Sequence, residues 1–162
     1  MEILEIRKFN DKILSQKAKR IGKTDQEIKD LAENMAETMR LNQGIGLAAP
    51  QVGVLKKLIV VESDFKNQRV LALVNPKIIK KSKEKTIDRE GCLSFPGIYL
   101  DIKRSKEITV KAKNIEGKKL IIKAEGLIAR VLQHEIDHLK GVVFYKRLNP
   151  IKRIIFRAKR KF

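Results

Sequence analysis

Both histidines of the chain, His134 and His138, fall in the run QHEIDHLKG, with Glu135 directly after the first. On a helix, positions i and i+4 share a face, so two imidazoles there can grip one metal ion. Neutral imidazoles suit Zn2+ or Fe2+, and a carboxylate beside a metal-bound water can take its proton. Two ligands do not complete a catalytic centre. Zinc peptidases with this pattern draw a further Glu or His from downstream, yet Gly141 to Phe162 contains no Glu, Asp, His or Cys. A third ligand must lie upstream or be water. Two incidental histidines on a surface helix are the plain alternative, but Leu132, Ile136 and Leu139 embed the run in an apolar face.

Cys92, in EGCLSFPG, is the upstream candidate. A thiolate ligates Zn2+ and Fe2+ well, and the neighbouring glycine lets the backbone bend close. Taken alone, a free cysteine is more often a small buried hydrophobe. Beside HEIDH the balance reverses. One Cys and two His are the only soft ligands available, one fewer than a closed structural zinc site requires. Their convergence would leave a position open to water, as in a catalytic site. In GIGLAAPQ, Gly44 and Gly46 permit close approach of an extended ligand, and Gln51 offers an N–H to a developing oxyanion. The stretch lacks the glycine–lysine pattern of a phosphate loop, which argues against a nucleotide cofactor.

The elements that must position these residues read as α+β: largely antiparallel strands around a central helix, with an N-terminal helix and a short basic C-terminal helix. Thr24 and Glu27 form a capping-box pattern opening a helix through about Leu41, with Ile28, Leu31, Met35 and Met39 as its buried stripe. KLIVV (57–61) and VLALVNP (70–76) read as strands, followed by alternation near 77–88. EITVKAKN and KKLIIKAE flank a turn and read as a hairpin. Residues 126–139 recur with helical period and carry HEIDH; GVVFY reads as a last short strand. In the tail, Ile151, Ile154, Ile155, Ala158 and Phe162 make one apolar stripe among basic residues.

The 162 residues suit a single domain, 1–162, without repeats or linkers. No apolar run reaches the roughly 18–20 residues that span a bilayer, so no membrane association is expected. The opening MEILEIRKFNDKIL has neither signal-peptide nor transit-peptide layout, and a lone cysteine fits a reducing compartment. A cytoplasmic location is the expectation. The formal charge is +18, from 37 Lys/Arg against 19 Asp/Glu, and residues 146–162 hold eight basic side chains and no acidic one. Such a field favours polyanions, most plausibly at the tail, although lysine also serves as generic solvated surface.

Together, GIGLAAPQ, EGCLS and QHEIDH resemble, in order and spacing, the three signature motifs of the peptide deformylases. The resemblance extends through LVNP, SFPGIY and DHLKGVVF, over roughly residues 28–150. It implies a metal-dependent hydrolase that removes the formyl group from the N-terminal formyl-methionine of nascent polypeptides and releases formate. Cys92, His134 and His138 would be the metal ligands. Glu135 would be the general acid/base for attack by metal-bound water, with Gln51 and the Leu93 N–H as oxyanion donors. Gly44 and Gly46 would meet the substrate main chain; Ile45, Leu127, Val131 and His134 would line the methionine pocket. Glu90, Arg104 and Asp137 are candidates for orienting the ligands. One divalent metal per chain is implied, Fe2+ as the physiological ion, with Zn2+, Ni2+ or Co2+ after purification.

The resemblance is imperfect near the N-terminus, where FNDKILSQKAKRI replaces the family's proline and VLR-like segment. Members of the family can dock at the ribosome through a C-terminal helix, a role that residues 151–162 could fill. The rival readings are another metallopeptidase or amidase, and a non-enzymatic nucleic-acid-binding module.

Overall fold

The computed structural model describes residues 2–64, 67 and 69–160. Phe162, the last member of the expected tail stripe, lies outside them. In chain order come α1 (Gln26–Leu41), β1 (Gly46–Ala48), β2 (Leu58–Asp64), β3 (Arg69–Lys81), β4 (Lys85–Cys92) and β5 (Phe95–Ser105). Then follow β6 (Glu107–Lys113), β7 (Lys119–Glu125), α2 (Gly126–His138) and α3 (Pro150–Arg160). Tight 3-10 turns occupy Lys12–Ser15, Ala49–Val52 and Phe144–Arg147. The strands form a five-stranded sheet, ordered β1-β2-β3-β6-β7, and a separate β4-β5 ribbon, with every ladder antiparallel. The architecture is therefore α+β, as the hydrophobic patterning indicates.

Helix α2 is the organising element. Gly126 adopts a positive φ of 57°, a region glycine enters without steric cost, so the chain turns directly from β7 into the helix. Ten consecutive residues, Ala129 to His138, are then buried. Leu132 and Ile136 pack against Ile59, Val61, Leu73 and Val110 of the sheet, each stabilising the fold by roughly 1.5–3 kcal/mol. A helix that buries its polar residues as well must partner them internally, and that requirement shapes the site.

Helix α1 packs Ile28, Ala32, Met35 and Met39 beneath β1 and β2. Its cap differs from the expected Thr24–Glu27 box. Asp25 caps the helix, accepting from the Ile28 N–H at 3.1 Å, and Glu27 instead pairs with Lys56. A carboxylate one residue further on is both a good cap and favourable at the positive helix end.

Three further departures are informative. Strand β5 carries no strong strand signal, because Pro96 and Gly97 (φ 73°) open it with turn chemistry. GVVFY is not a strand: Phe144 and Tyr145 both pack on Phe95, with ring centroids 5.4 and 5.9 Å away. Consecutive strand residues point to opposite faces, so two neighbours on one ring require the 3-10 turn observed at Phe144–Arg147. Finally, the tail stripe is not the docking face of α3. Ile151 and Ile154 are 71% and 67% exposed, whereas Phe156 is 8% exposed and stacks on Tyr145 at 5.1 Å.

Candidate metal centre and catalytic cleft

His134 and His138 project from successive turns of α2, and Cys92 lies where β4 turns into β5. The two Nε2 atoms are 3.2 Å apart, and Cys92 Sγ is 3.4 Å from His138 Nε2. All three donors lie within 4.8 Å of one another. Bond lengths of about 2.0–2.1 Å to nitrogen and about 2.3 Å to sulfur place tetrahedral donors roughly 3.3–3.6 Å apart. The donor set fits one divalent ion. Burial pushes His138 below the ordinary imidazole range, which favours the neutral, ligating form. His134 directs Nδ1 at Glu90 Oε2, 3.0 Å away; the carboxylate accepts that proton and leaves Nε2 facing the other donors.

Glu90 is held in turn. Arg104 donates to both of its oxygens, at 2.8 and 3.0 Å, and to Asp137 Oδ2 at 2.5 Å. Burial would raise the Glu90 carboxyl, but the bonds from Arg104 and His134 outweigh it and hold it at about 2. Asp137 stays low against the same burial through Arg147 and Arg104. The three residues suggested as orienting groups thus form one continuous array with His134. Two members had not been anticipated. Arg147 grips Asp137. Arg130, 5% exposed, donates to Glu90 Oε1 at 2.6 Å, Ile102 O at 2.8 Å and Asp88 Oδ2 at 2.9 Å. An arginine inside an apolar helical stripe was the available signal, since a buried guanidinium demands partners.

Glu135 stands apart from this array. Burial pushes its carboxyl up to about 7, with His134 pulling the other way, and its buried Oε2 has no partner among the described residues. A side chain at position 46 would collide with Glu135 Oε1 and Val131 Cγ1. One at position 44 would come within 2.7 Å of the Leu93 side chain. The absence of a side chain at Gly46 is therefore required first by the protein's own packing around the carboxylate. Gly46 lies on β1, an edge strand of the five-stranded sheet. Gln51 accepts from Ala48 N–H at 2.9 Å and donates through Nε2 to Ser94 Oγ at 3.2 Å and Cys92 Sγ at 3.5 Å.

These groups open on one cleft of about 520 Å3. Ile45, Leu127, Val131 and His134 line it beside Gly44, Gly46, Gln51, Leu93 and Glu135. Every residue assigned from sequence to ligation, proton transfer or substrate contact lines this cleft, except His138, the most buried of the three donors. Lys8, also at the cleft, reaches the Leu93 carbonyl at 3.2 Å. Phe144 packs against His134, with centroids 5.8 Å apart.

Residues 3–154 match the family model described as polypeptide deformylase. The peptide deformylase of Thermodesulfovibrio yellowstonii is 47% identical, covering 99% of this chain and 98% of its own. That of a Picosynechococcus species is 52% identical over 90% of this chain and 79% of its own. Among solved structures, peptide deformylase from Thermus thermophilus superposes with a TM-score of 0.92 at 39% identity, covering 98% of this chain and 93% of that one. The Ehrlichia chaffeensis enzyme in complex with actinonin superposes with a TM-score of 0.90 at 41% identity, covering all of both chains. A chain so matched along its length, with this donor set at its centre, belongs to the polypeptide deformylase family.

Proposed function

We propose that the protein hydrolyses the formyl cap of N-formyl-methionyl peptides as a cytoplasmic, metal-dependent deformylase, its chain acting as one catalytic domain. The observation that carries this reading is the meeting of Cys92, His134 and His138 beside an unpartnered Glu135 in one cleft. A divalent metal held by the three donors would acidify a water and polarise the formyl carbonyl. Fe2+ is the proposed physiological ion, with Zn2+, Ni2+ or Co2+ able to occupy the same donors.

The remaining chemistry belongs to the chain. Glu135 takes the proton from the attacking water and returns it to the leaving amine as the C–N bond breaks, giving formate and a free N-terminus. Gln51 Nε2 and the Leu93 N–H stabilise the oxyanion. The 3.5 Å contact of Gln51 with sulfur is the weaker of its two, so that donor is free to turn to the substrate. Gly46 at the edge of β1, with Gly44 just before the strand, meets the substrate main chain, and Ile45, Leu127 and Val131 receive the methionine side chain.

Tail helix α3 is proposed to contact ribosomal RNA through its basic side chains. Its outward apolar and basic faces support this reading. Replacing Lys152, Arg153 and Arg157 by Gln should reduce ribosome co-sedimentation at low salt; unchanged co-sedimentation would remove the proposal. The activity itself is tested with protein loaded anaerobically with Fe2+. Formate should be released from formyl-Met-Ala-Ser, with the acetylated and free-amine peptides untouched. Absence of formate, or equal loss of acetyl groups, contradicts the reading, and release of amino acids would indicate a peptidase.

A further inference from the structure

A second cleft, of about 770 Å3, shares no lining residue with the catalytic one. It lies where β3, β6 and β7 meet the C-terminal end of α2, and its charge is of one sign. In the antiparallel ladders Lys77 faces Lys111, and Lys113 faces Lys119. Lys111 and Lys113 alternate along β6, so all four ammonium groups stand on one face of the sheet. Arg20, Lys57 and Lys140 extend the lining, and no carboxylate contributes to it. None of the seven cations makes an ion pair with a described residue.

Like charges directly opposite one another on neighbouring strands destabilise a sheet. Two such pairs side by side, with nothing to neutralise them, oppose folding. Some lysines elsewhere do meet acids, as where Lys56 meets Glu27 and Lys106 meets Glu84. The cleft is thus a concentration of unpaired positive charge.

We infer that this cleft binds the phosphate backbone of an RNA strand. A repeated row of cations along and across strands suits an anion that is itself repeated. Large apolar exposure at the cleft is confined to Ile79, too little for the apolar centre of a protein–protein interface. The lining is a hollow, which suits a strand better than a flat lipid surface. Among the described residues no aromatic side chain lines it, so recognition rests on phosphate rather than base stacking and is indifferent to sequence. The inference stands independently of the catalytic reading and of α3.

The test is fluorescence anisotropy of a labelled single-stranded RNA against salt. The protein carrying Lys77→Gln, Lys111→Gln and Lys119→Gln is compared with one carrying Lys12→Gln, Lys23→Gln and Lys103→Gln, which removes equal charge outside the cleft. The cleft variant should bind roughly tenfold more weakly, and its slope of log K against log salt should flatten by about 2. The control should keep the wild-type slope to within about half that change. Relief of the two lysine pairs should leave the melting temperature of the cleft variant at or above that of wild type, with formate release unchanged. Should the sheet variant not fold, Arg20→Gln with Lys140→Gln repeats the measurement at the rim. Equal losses in cleft and control variants overturn the inference, as does absence of RNA binding by wild type. It is equally overturned if a nucleoside triphosphate displaces the RNA at equimolar concentration, or if vesicles containing phosphatidylglycerol bind where RNA does not.

Discussion

Helices α2 and α3 are both amphipathic and both carry buried and basic residues, yet they meet the rest of the molecule in opposite ways. Helix α2 buries every residue from Ala129 to His138, and the charges of Arg130 and Asp137 among them are held by specific partners on β4, β5 and the Phe144–Arg147 turn. Among its described side chains, helix α3 buries one large one, Phe156, and leaves its isoleucines in solvent. One helix is fixed by a charge array that reaches His134 through Glu90; the other is attached at a point. The difference teaches where precision is needed. A metal site depends on ligands held by their neighbours, whereas a contact surface depends on exposure.

The comparison is broken most severely at Arg104. Arg104→Ala should lower stability by about 3–5 kcal/mol, because Glu90 and Asp137 are left as buried charges with fewer partners. Denaturant unfolding measures this, and a loss near that of a surface charge would mean that the array is decorative. Arg130→Lys is gentler. One ammonium cannot replace bonds to Glu90, Ile102, Asp88 and Thr86, so stability should fall by about 1–3 kcal/mol. Metal affinity, read by competition with a chelating dye, should fall by about 10–100-fold as Glu90 loosens on His134.

On α3 the effects shrink. Phe156→Ala should cost about 1–2 kcal/mol through loss of the Tyr145 stack and partial burial, and should raise hydrogen exchange along α3 while leaving that of α2 unchanged. Ile154→Ser should alter stability by no more than about 0.5 kcal/mol. A larger loss would show that the outward stripe is covered in solution.

The same contrast explains what could be read from the sequence. Helix α2 was legible because its apolar period and HEIDH coincide, and the β6–β7 hairpin because both strands flank a turn at Gly117. The ligand trio was legible from scarcity, since few soft donors exist to choose from. Arg130 and Arg147 were not, because their roles depend on β4 and the Phe144–Arg147 turn being brought against α2. Side-chain spacing along α2 carries no information about that packing. Strand β5 was hidden by Pro96–Gly97, and the docking face of α3 by its isoleucines, whose pattern suggests burial that only Phe156 achieves. Local period reports which faces are apolar; tertiary contacts decide which of them are covered.

The central claim is a division of labour: Cys92 with the two histidines holds one metal, and Glu135 moves the proton. It is tested most directly by measuring bound metal and formate release together for Cys92→Ala and Glu135→Gln. Cys92→Ala should lose tight metal binding and activity together. Glu135→Gln should retain one metal per chain while turnover falls by roughly 10^2–10^4-fold. Full metal content in Cys92→Ala, or near wild-type turnover in metal-loaded Glu135→Gln, would contradict the account.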